Sequence, residues 1–166
     1  MMKSLFLTMW IAITSLLSSS AQAEKNCESL IGTCDFYLCL EADLKCGPSG
    51  YLINYGYKYC RRSLDSLVQH MQSDAGKFWV IDTIQCLQTK VTIALQLHSL
   101  TCREIESVAI QSHPDCYVDS GICWLPPGDK IRIFHTIKDQ ILKKRPLIQA
   151  GKTLELCAAK SMDSKH

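Results

Sequence analysis

Apolar residues recur at steps of three and four along much of this chain, and this spacing predicts helices. The clearest pattern runs from Asp82 to Ala109 and would place these positions on one helical face: Leu87, Val91, Leu95, His98, Cys102, Ile105 and Ala109. His113 and Pro114 should end this helix, because proline lacks a backbone donor and disfavours helical geometry in the residue before it.

A second helix is expected to begin at Ser63, which is a favourable N-cap, and to stop within residues 74–76. Its buried face would consist of Leu64, Leu67, Val68 and Met71.

A third helix should follow Pro126, Pro127 and Gly128, with Asp129 near its positive end. Its inward face is predicted to comprise Ile133, Phe134, Ile137 and Ile141. Its last turn would carry a basic cluster of Lys143, Lys144 and Arg145, which suits the negative pole of a helix.

Shorter helices are expected over residues 34–40 and 153–160. Strand-like alternation is confined to residues 55–59, which could equally form a tyrosine-rich loop or a helix start. The sequence therefore predicts a mainly α fold.

The N-terminus has the features of a secretory signal peptide. Lys3 precedes an apolar stretch over residues 5–17, and small residues follow at Ala21 and Ala23. Serines interrupt the stretch before it reaches membrane-spanning length, which disfavours an anchor. We therefore expect residues 1–23 to be removed and the protein to be secreted without a membrane span.

Composition agrees with export. The chain has 10 cysteines in 166 residues and contains no Cys-x-x-Cys pair, so a disulfide framework is favoured over a metal site. The formal net charge is +2, which disfavours a nucleic-acid-binding role. Spacing alone leaves the cysteine pairing open.

Read in order, the cysteines at 27, 34, 39, 46, 60, 86, 102, 116, 123 and 157 show a series of short, medium and long gaps. Neighbouring residues accompany them, including Phe36, the segment Cys39-Leu40-Glu41, the pair Gly50-Tyr51 and the pair Cys116-Tyr117. In these features residues 24–160 resemble the stanniocalcins, a family of secreted, disulfide-linked glycoprotein hormones. Residues 161–166 would form a flexible tail.

The resemblance implies a mainly α, disulfide-rich helical domain with five intrachain bridges: Cys27–Cys39, Cys34–Cys60, Cys46–Cys102, Cys86–Cys116 and Cys123–Cys157. A straight helix would hold residues 86 and 116 about 45 Å apart. Under this pairing the segment must therefore fold back as two antiparallel helices. The break would lie near residues 90–92 or near residues 98–101, and both places remain open.

By the same resemblance, the protein would be a hormone in calcium and phosphate balance or an inhibitor of an extracellular metalloproteinase. Its partner would be an extracellular receptor or protease, bound by protein–protein contact. The chain lacks the additional C-terminal cysteine that links stanniocalcin subunits, so a monomer or a non-covalent dimer is expected. The family's glycosylation sequon before the Cys46 position is also absent.

Two segments are candidates for partner contact. One is the tyrosine segment, represented by Tyr51, Tyr55 and Tyr57, because tyrosine is enriched in interfaces. These rings could instead pack around the bridge at Cys60. The other candidate is the basic cluster of Lys143, Lys144 and Arg145, which could instead be a solvated helix end.

An enzymatic alternative rests on the segment His113-Pro114-Asp115-Cys116-Tyr117, which is similar to the catalytic helix of secreted phospholipases A2. The segment Cys46-Gly47-Pro48-Ser49-Gly50, together with Tyr55-Gly56-Tyr57, is similar to their calcium loop. Pro114 should place a turn between His113 and Asp115, so we expect no catalytic residue, metal ligand or cofactor. A third possibility is a non-signalling structural or defence protein.

Overall fold

The computed structural model describes residues 26–141 and 144–163, and this part of the chain is mainly α, as predicted. Six helices are joined by turns, with no strand among the described residues: α1 Asp35–Leu44, α2 residues 52–70, α3 Asp74–Leu97, α4 Cys102–Asp119, α5 Pro127–Ile141 and α6 Lys144–Asp163. Short 3₁₀ turns cover Cys27–Leu30 and Ile122–Trp124. The predicted signal peptide and the last three residues of the predicted tail lie outside the described residues.

The long periodic segment is divided between α3 and α4, and the break lies at residues 98–101, one of the two places left open. Thr101 and Glu104 explain the new start, because they form a reciprocal capping box: Thr101 Oγ1 accepts from the Glu104 N–H, and the Glu104 carboxylate accepts from the Thr101 N–H. The disulfide between Cys86 and Cys116 joins the two helices.

The predicted helix end at His113 and Pro114 is wrong, since α4 continues through Pro114 to Asp119. A proline inside a helix leaves the carbonyl four residues earlier without its N–H donor. Here that carbonyl belongs to Ile110, and Gln149 of α6 supplies the donor through its Nε2 at 2.6 Å. A contact between distant segments therefore compensates for the proline, which local propensity could not indicate.

Helix α2 begins earlier than predicted. It consists of a wide π-type piece Leu52–Tyr57, a piece Lys58–Arg62, a second wide piece Ser63–Leu67 and a final turn Val68–His70. Ser63 therefore lies inside the helix and is not its N-cap, and the possible strand at residues 55–59 is helical. Leu67 and Met71 are buried as predicted, whereas Leu64 and Val68 are partly buried.

Residues 74–76 start α3 and do not stop α2, which is a second correction. The hydroxyl of Ser73 accepts from the Gly76 N–H at 2.9 Å and so caps α3. Asp129 of α5 holds this turn, because its carboxylate accepts from the Gln72 N–H at 2.6 Å and from the Ser73 hydroxyl at 2.6 Å. A Cβ at residue 76 would lie 2.6 Å from Asp129 Oδ2, so only glycine fits.

Asp129 is fully buried, and its charge is retained by these contacts. Burial acts to raise the pKa of Asp129, but the hydrogen bonds from Ser73 and Gln72 outweigh burial and hold the pKa below its usual value. The carboxylate thus ties the start of α5 to the start of α3.

The C-terminal helices differ from the prediction in three respects. Helix α5 ends at Ile141, so Lys144 and Arg145 belong to the first turn of α6, where Pro146 is tolerated. Helix α6 is longer than residues 153–160. Of the predicted inward residues of α5, Ile133 is buried, whereas Phe134 is 51% exposed.

Five disulfides connect the elements: Cys27–Cys39, Cys34–Cys60, Cys46–Cys102, Cys86–Cys116 and Cys123–Cys157. These are the pairs that the resemblance to stanniocalcins implies. The first two join the N-terminal turn, α1 and α2, the third joins the loop after α1 to α4, and the fifth joins the turn after α4 to α6. Every described helix except α5 is thereby held in a covalent network.

We predict that Gln149→Leu lowers the free energy of unfolding by about 1–3 kcal/mol, because it removes the Nε2 donor from the partly buried Ile110 carbonyl. The loss should shrink in a Pro114→Ala background, where residue 114 regains an N–H for that carbonyl. Guanidinium unfolding of the four disulfide-intact proteins would measure this coupling. An equal loss in both backgrounds would contradict the proposed compensation.

Candidate interaction surfaces

The tyrosine segment lies mostly in the core. Tyr51 is only 7% exposed, whereas Tyr55 and Tyr57 are partly buried, and the role of these residues in partner contact stays a prediction. The ring of Tyr55 lies 5.6 Å from the ring of Tyr51 and 4.7 Å from that of Tyr59. Burial raises the pKa of Tyr51 well above its usual value. The segment therefore builds an aromatic core and offers a partner little area.

His113 is the polar member of this aromatic core. Its ring lies 5.8 Å from Tyr55 and 5.5 Å from Tyr117, and its Nδ1–H donates to the Ala109 carbonyl at 2.6 Å. Burial lowers the pKa of His113 from 6.5 to about 4, although the hydrogen bonds to backbone carbonyls act in the opposite direction. A neutral imidazole is thus kept inside the protein.

The arrangement expected of a phospholipase A2 is not formed by these residues. His113 and Asp115 do lie on one helix, contrary to the predicted turn, but His113 is 2% exposed whereas Asp115 faces solvent. Gly56, assigned to the second half of a calcium loop, lies inside α2, where a Cβ would approach the Tyr37 ring to 2.5 Å. Close packing against the Tyr37 ring therefore explains why residue 56 is a glycine.

One cluster of possible metal-ligand types occurs in the described part of the chain, formed by Cys27, Cys39 and Asp43. The two sulfurs are bonded to each other, so neither is a thiolate that could bind a metal ion.

The predicted basic cluster gives no described surface. Lys143 lies outside the described residues, and Lys144 and Arg145 open α6. Their role in partner contact stays a prediction.

Helix α6 carries an exposed apolar surface that was not predicted from the sequence, which we call the outer stripe. It recurs at steps of four, three, four and four and comprises Leu147, Gly151, Leu154, Ala158 and Met162, all exposed. The opposite face of the helix is buried and carries Gln149 and Thr153. The spacing was visible in the sequence, but it would ordinarily indicate a buried face.

A groove lies between α5 and α6 beside the outer stripe. Its volume is about 310 Å³, and its lining is predominantly apolar: Tyr55, Tyr117, Ile122, Cys123, Lys130, Ile133, Phe134, Ile137, Gln149, Ala150, Thr153, Leu154 and Cys157. The disulfide of Cys123 with Cys157 forms part of the wall. The ammonium of Lys130 donates to the Cys123 carbonyl at 2.9 Å, so a positive charge is held at the same end.

No family model, curated protein or solved structure matches this chain. Among the residues that the structure describes, none of the helices has the length and apolar character needed to cross a membrane.

We predict that stability depends on the protonation of His113. The unfolded chain takes up a proton near pH 6.5 and the folded protein only near pH 4, so stability is complete above about pH 6.5. It should fall by about 3 kcal/mol as the pH drops to 4. Unfolding measured across this range should show a smaller fall for His113→Gln than for the natural chain.

His98→Gln, at an exposed position, is the matched control and should follow the natural chain. Identical pH dependence in the His113→Gln protein would contradict the role given to the buried imidazole.

Proposed function

We propose that this protein is a secreted regulator of the stanniocalcin type that acts by binding another extracellular protein. The outer stripe of α6 is the observation that carries this proposal. Leu147 is 63% exposed, Leu154 72% and Met162 65%, and they lie on one face of a single helix. Contiguous exposed apolar surface of this kind marks interaction sites.

The stripe has the chemistry of one side of a helix-in-groove interface. Its apolar positions are three or four residues apart, which is the spacing of the residues that an amphipathic helix inserts into a complementary groove. Gly151 and Ala158 are small residues in the middle of the stripe, so a partner could approach the helix backbone closely there. Burying one leucine is worth about 1.5–3 kcal/mol, so Leu147 and Leu154 alone could supply a large part of a binding energy.

The polar side of α6 explains why this stripe is not turned inwards. Gln149 donates to the Ile110 carbonyl, and the Thr153 hydroxyl donates to the Gln149 carbonyl at 2.9 Å. Rotating the helix to bury the stripe would break the first contact and leave the Ile110 carbonyl without its donor. The apolar face therefore stays exposed to water, although this exposure is unfavourable. This is expected for a surface that a partner covers.

Export is supported by two independent features. Residues 1–23 have the pattern of a signal peptide, and five disulfides are typical of proteins that fold outside the reducing cytosol. The resemblance adds the class of partner, either a receptor in calcium and phosphate balance or an extracellular metalloproteinase. The absence of catalysis stays a prediction.

We predict that the double variant Leu147→Asp with Leu154→Asp binds its extracellular partner at least about tenfold more weakly than the natural protein. The reason is that both substitutions place a charge in the apolar contact. The measurement is saturation binding of the labelled, disulfide-intact protein to cell surfaces and to proteins of extracellular fluid.

The matched control is Ile93→Asp with Leu97→Asp, which charges two exposed apolar positions of α3 instead. It should bind as the natural protein does. The proposal fails if the α6 variant binds normally, or if the natural protein shows no saturable protein partner.

A further inference from the structure

The groove between α5 and α6 has properties that the outer stripe does not explain. Its volume of about 310 Å³ is roughly twice that of an apolar protein cavity known to hold benzene. It is therefore larger than one inserted side chain requires. From Lys130 to Ile137 the α5 wall extends about 10 Å, at a rise of about 1.5 Å per residue.

The lining favours a hydrocarbon. Ile133, Phe134 and Ile137 form the α5 side, and Ala150 and Leu154 belong to the α6 side. Phe134 is 51% exposed although the sequence pattern directs it inwards, so its ring is available to a ligand in the groove.

Two polar side chains of the α6 wall, Gln149 and Thr153, are hydrogen-bonded within the protein. Gln149 Nε2 donates to the Ile110 carbonyl, and the Thr153 hydroxyl donates to the Gln149 carbonyl. A ligand along this wall would therefore gain little from polar groups of its own, and a polar ligand would lose hydration without compensation.

A positive charge at one end of the groove indicates the chemistry of the ligand's headgroup. Lys130 is the charged residue of the lining, and no acidic residue accompanies it among the described residues that line the groove. An ammonium carries three N–H donors, and one of them is used by the Cys123 carbonyl. The others can meet an anionic group at the disulfide end of the groove.

We propose that this groove binds a single-chain anionic amphiphile, with its hydrocarbon chain between α5 and α6 and its headgroup on Lys130. This activity goes beyond the proposed protein binding, and its site overlaps the outer stripe only at Leu154. A carboxylate and a phosphate share the required charge, so a fatty acid and a lysophospholipid of the phosphatidate type are the two sources.

The test is calorimetric titration of the delipidated, disulfide-intact mature protein with dodecanoate, dodecyl phosphate, dodecanol and dodecyltrimethylammonium. The charged probes are used below their micelle concentrations and dodecanol below its solubility limit. At least one anionic probe should bind with one ligand per chain. Dodecanol and the cationic probe should bind at least about tenfold more weakly, because they lack a charge-assisted contact with Lys130. Tighter binding of dodecanoate would indicate a fatty acid, and tighter binding of dodecyl phosphate a lysophospholipid.

Two variants locate the site, each with a matched control on the same helix. Lys130→Met should reduce binding of the anionic probe to the level of dodecanol and leave dodecanol unchanged, whereas Lys138→Met, at an exposed position outside the groove lining, should have no effect. Ala150→Trp fills the groove and should abolish binding of every probe. Ala159→Trp lies on exposed α6 surface outside the lining and should not.

Circular dichroism and thermal unfolding would establish that each variant keeps its helical fold. Absence of saturable binding to the natural protein would overturn the proposal. Binding that survives Ala150→Trp, or equal affinity for anionic and cationic probes, would do so as well. Lys130 and Ala150 line the groove and are not part of the outer stripe, so loss of this proposal and loss of the proposed protein binding can be told apart.

Discussion

The disulfide between Cys86 and Cys116 fixes the antiparallel hairpin of α3 and α4, and the other described elements are arranged on that hairpin. At the N-terminal side, the buried Gln88 of α3 accepts from the Gly32 N–H at 2.6 Å and donates to the Thr33 carbonyl at 2.8 Å. At the start of α3, Asp129 attaches α5 through the turn at Ser73. A bridge between two helices therefore sets the positions at which loops and later helices can attach.

The orientation of α6 follows from a defect in that hairpin. Pro114 leaves the Ile110 carbonyl without a helical donor, and Gln149 supplies one from α6. This contact requires α6 to turn a polar face inwards, and the remaining apolar residues then form the outer stripe. The proposed partner surface is thus a consequence of Pro114, the thirteenth residue of α4, and of the side chain that compensates for it. The disulfide of Cys123 with Cys157 holds α6 in this position.

The helical fold could be predicted because periodicity reports it directly, as in the segment from Asp82 to Ala109. The limits of the helices depended on contacts that periodicity does not contain. Gln149 permits α4 to pass Pro114, and Ser73 with Asp129 makes residues 74–76 a helix start. Local propensity describes each segment alone and therefore missed both.

The candidate surfaces were predicted less well, for a related reason. A tyrosine suits an interface and a core equally, so composition could not show that Tyr51 is buried. The spacing of Leu147 and Leu154 would ordinarily indicate a buried face, and only the packing of α6 shows that this face is outside. Phe134 follows the buried Ile133 directly in the sequence, and the two side chains point in different directions from the helix. The three-and-four pattern does not show which of two such neighbours is buried.

Peptide mapping of the non-reduced mature protein tests the central claim most directly, because the hairpin, the orientation of α6 and the resemblance to stanniocalcins all depend on one connectivity. Proteolysis without reduction, followed by mass spectrometry, should recover peptides that join Cys86 to Cys116, Cys46 to Cys102 and Cys123 to Cys157. Recovery of Cys86 or Cys116 linked to any other cysteine would contradict the account of the fold and remove the basis of the proposed function.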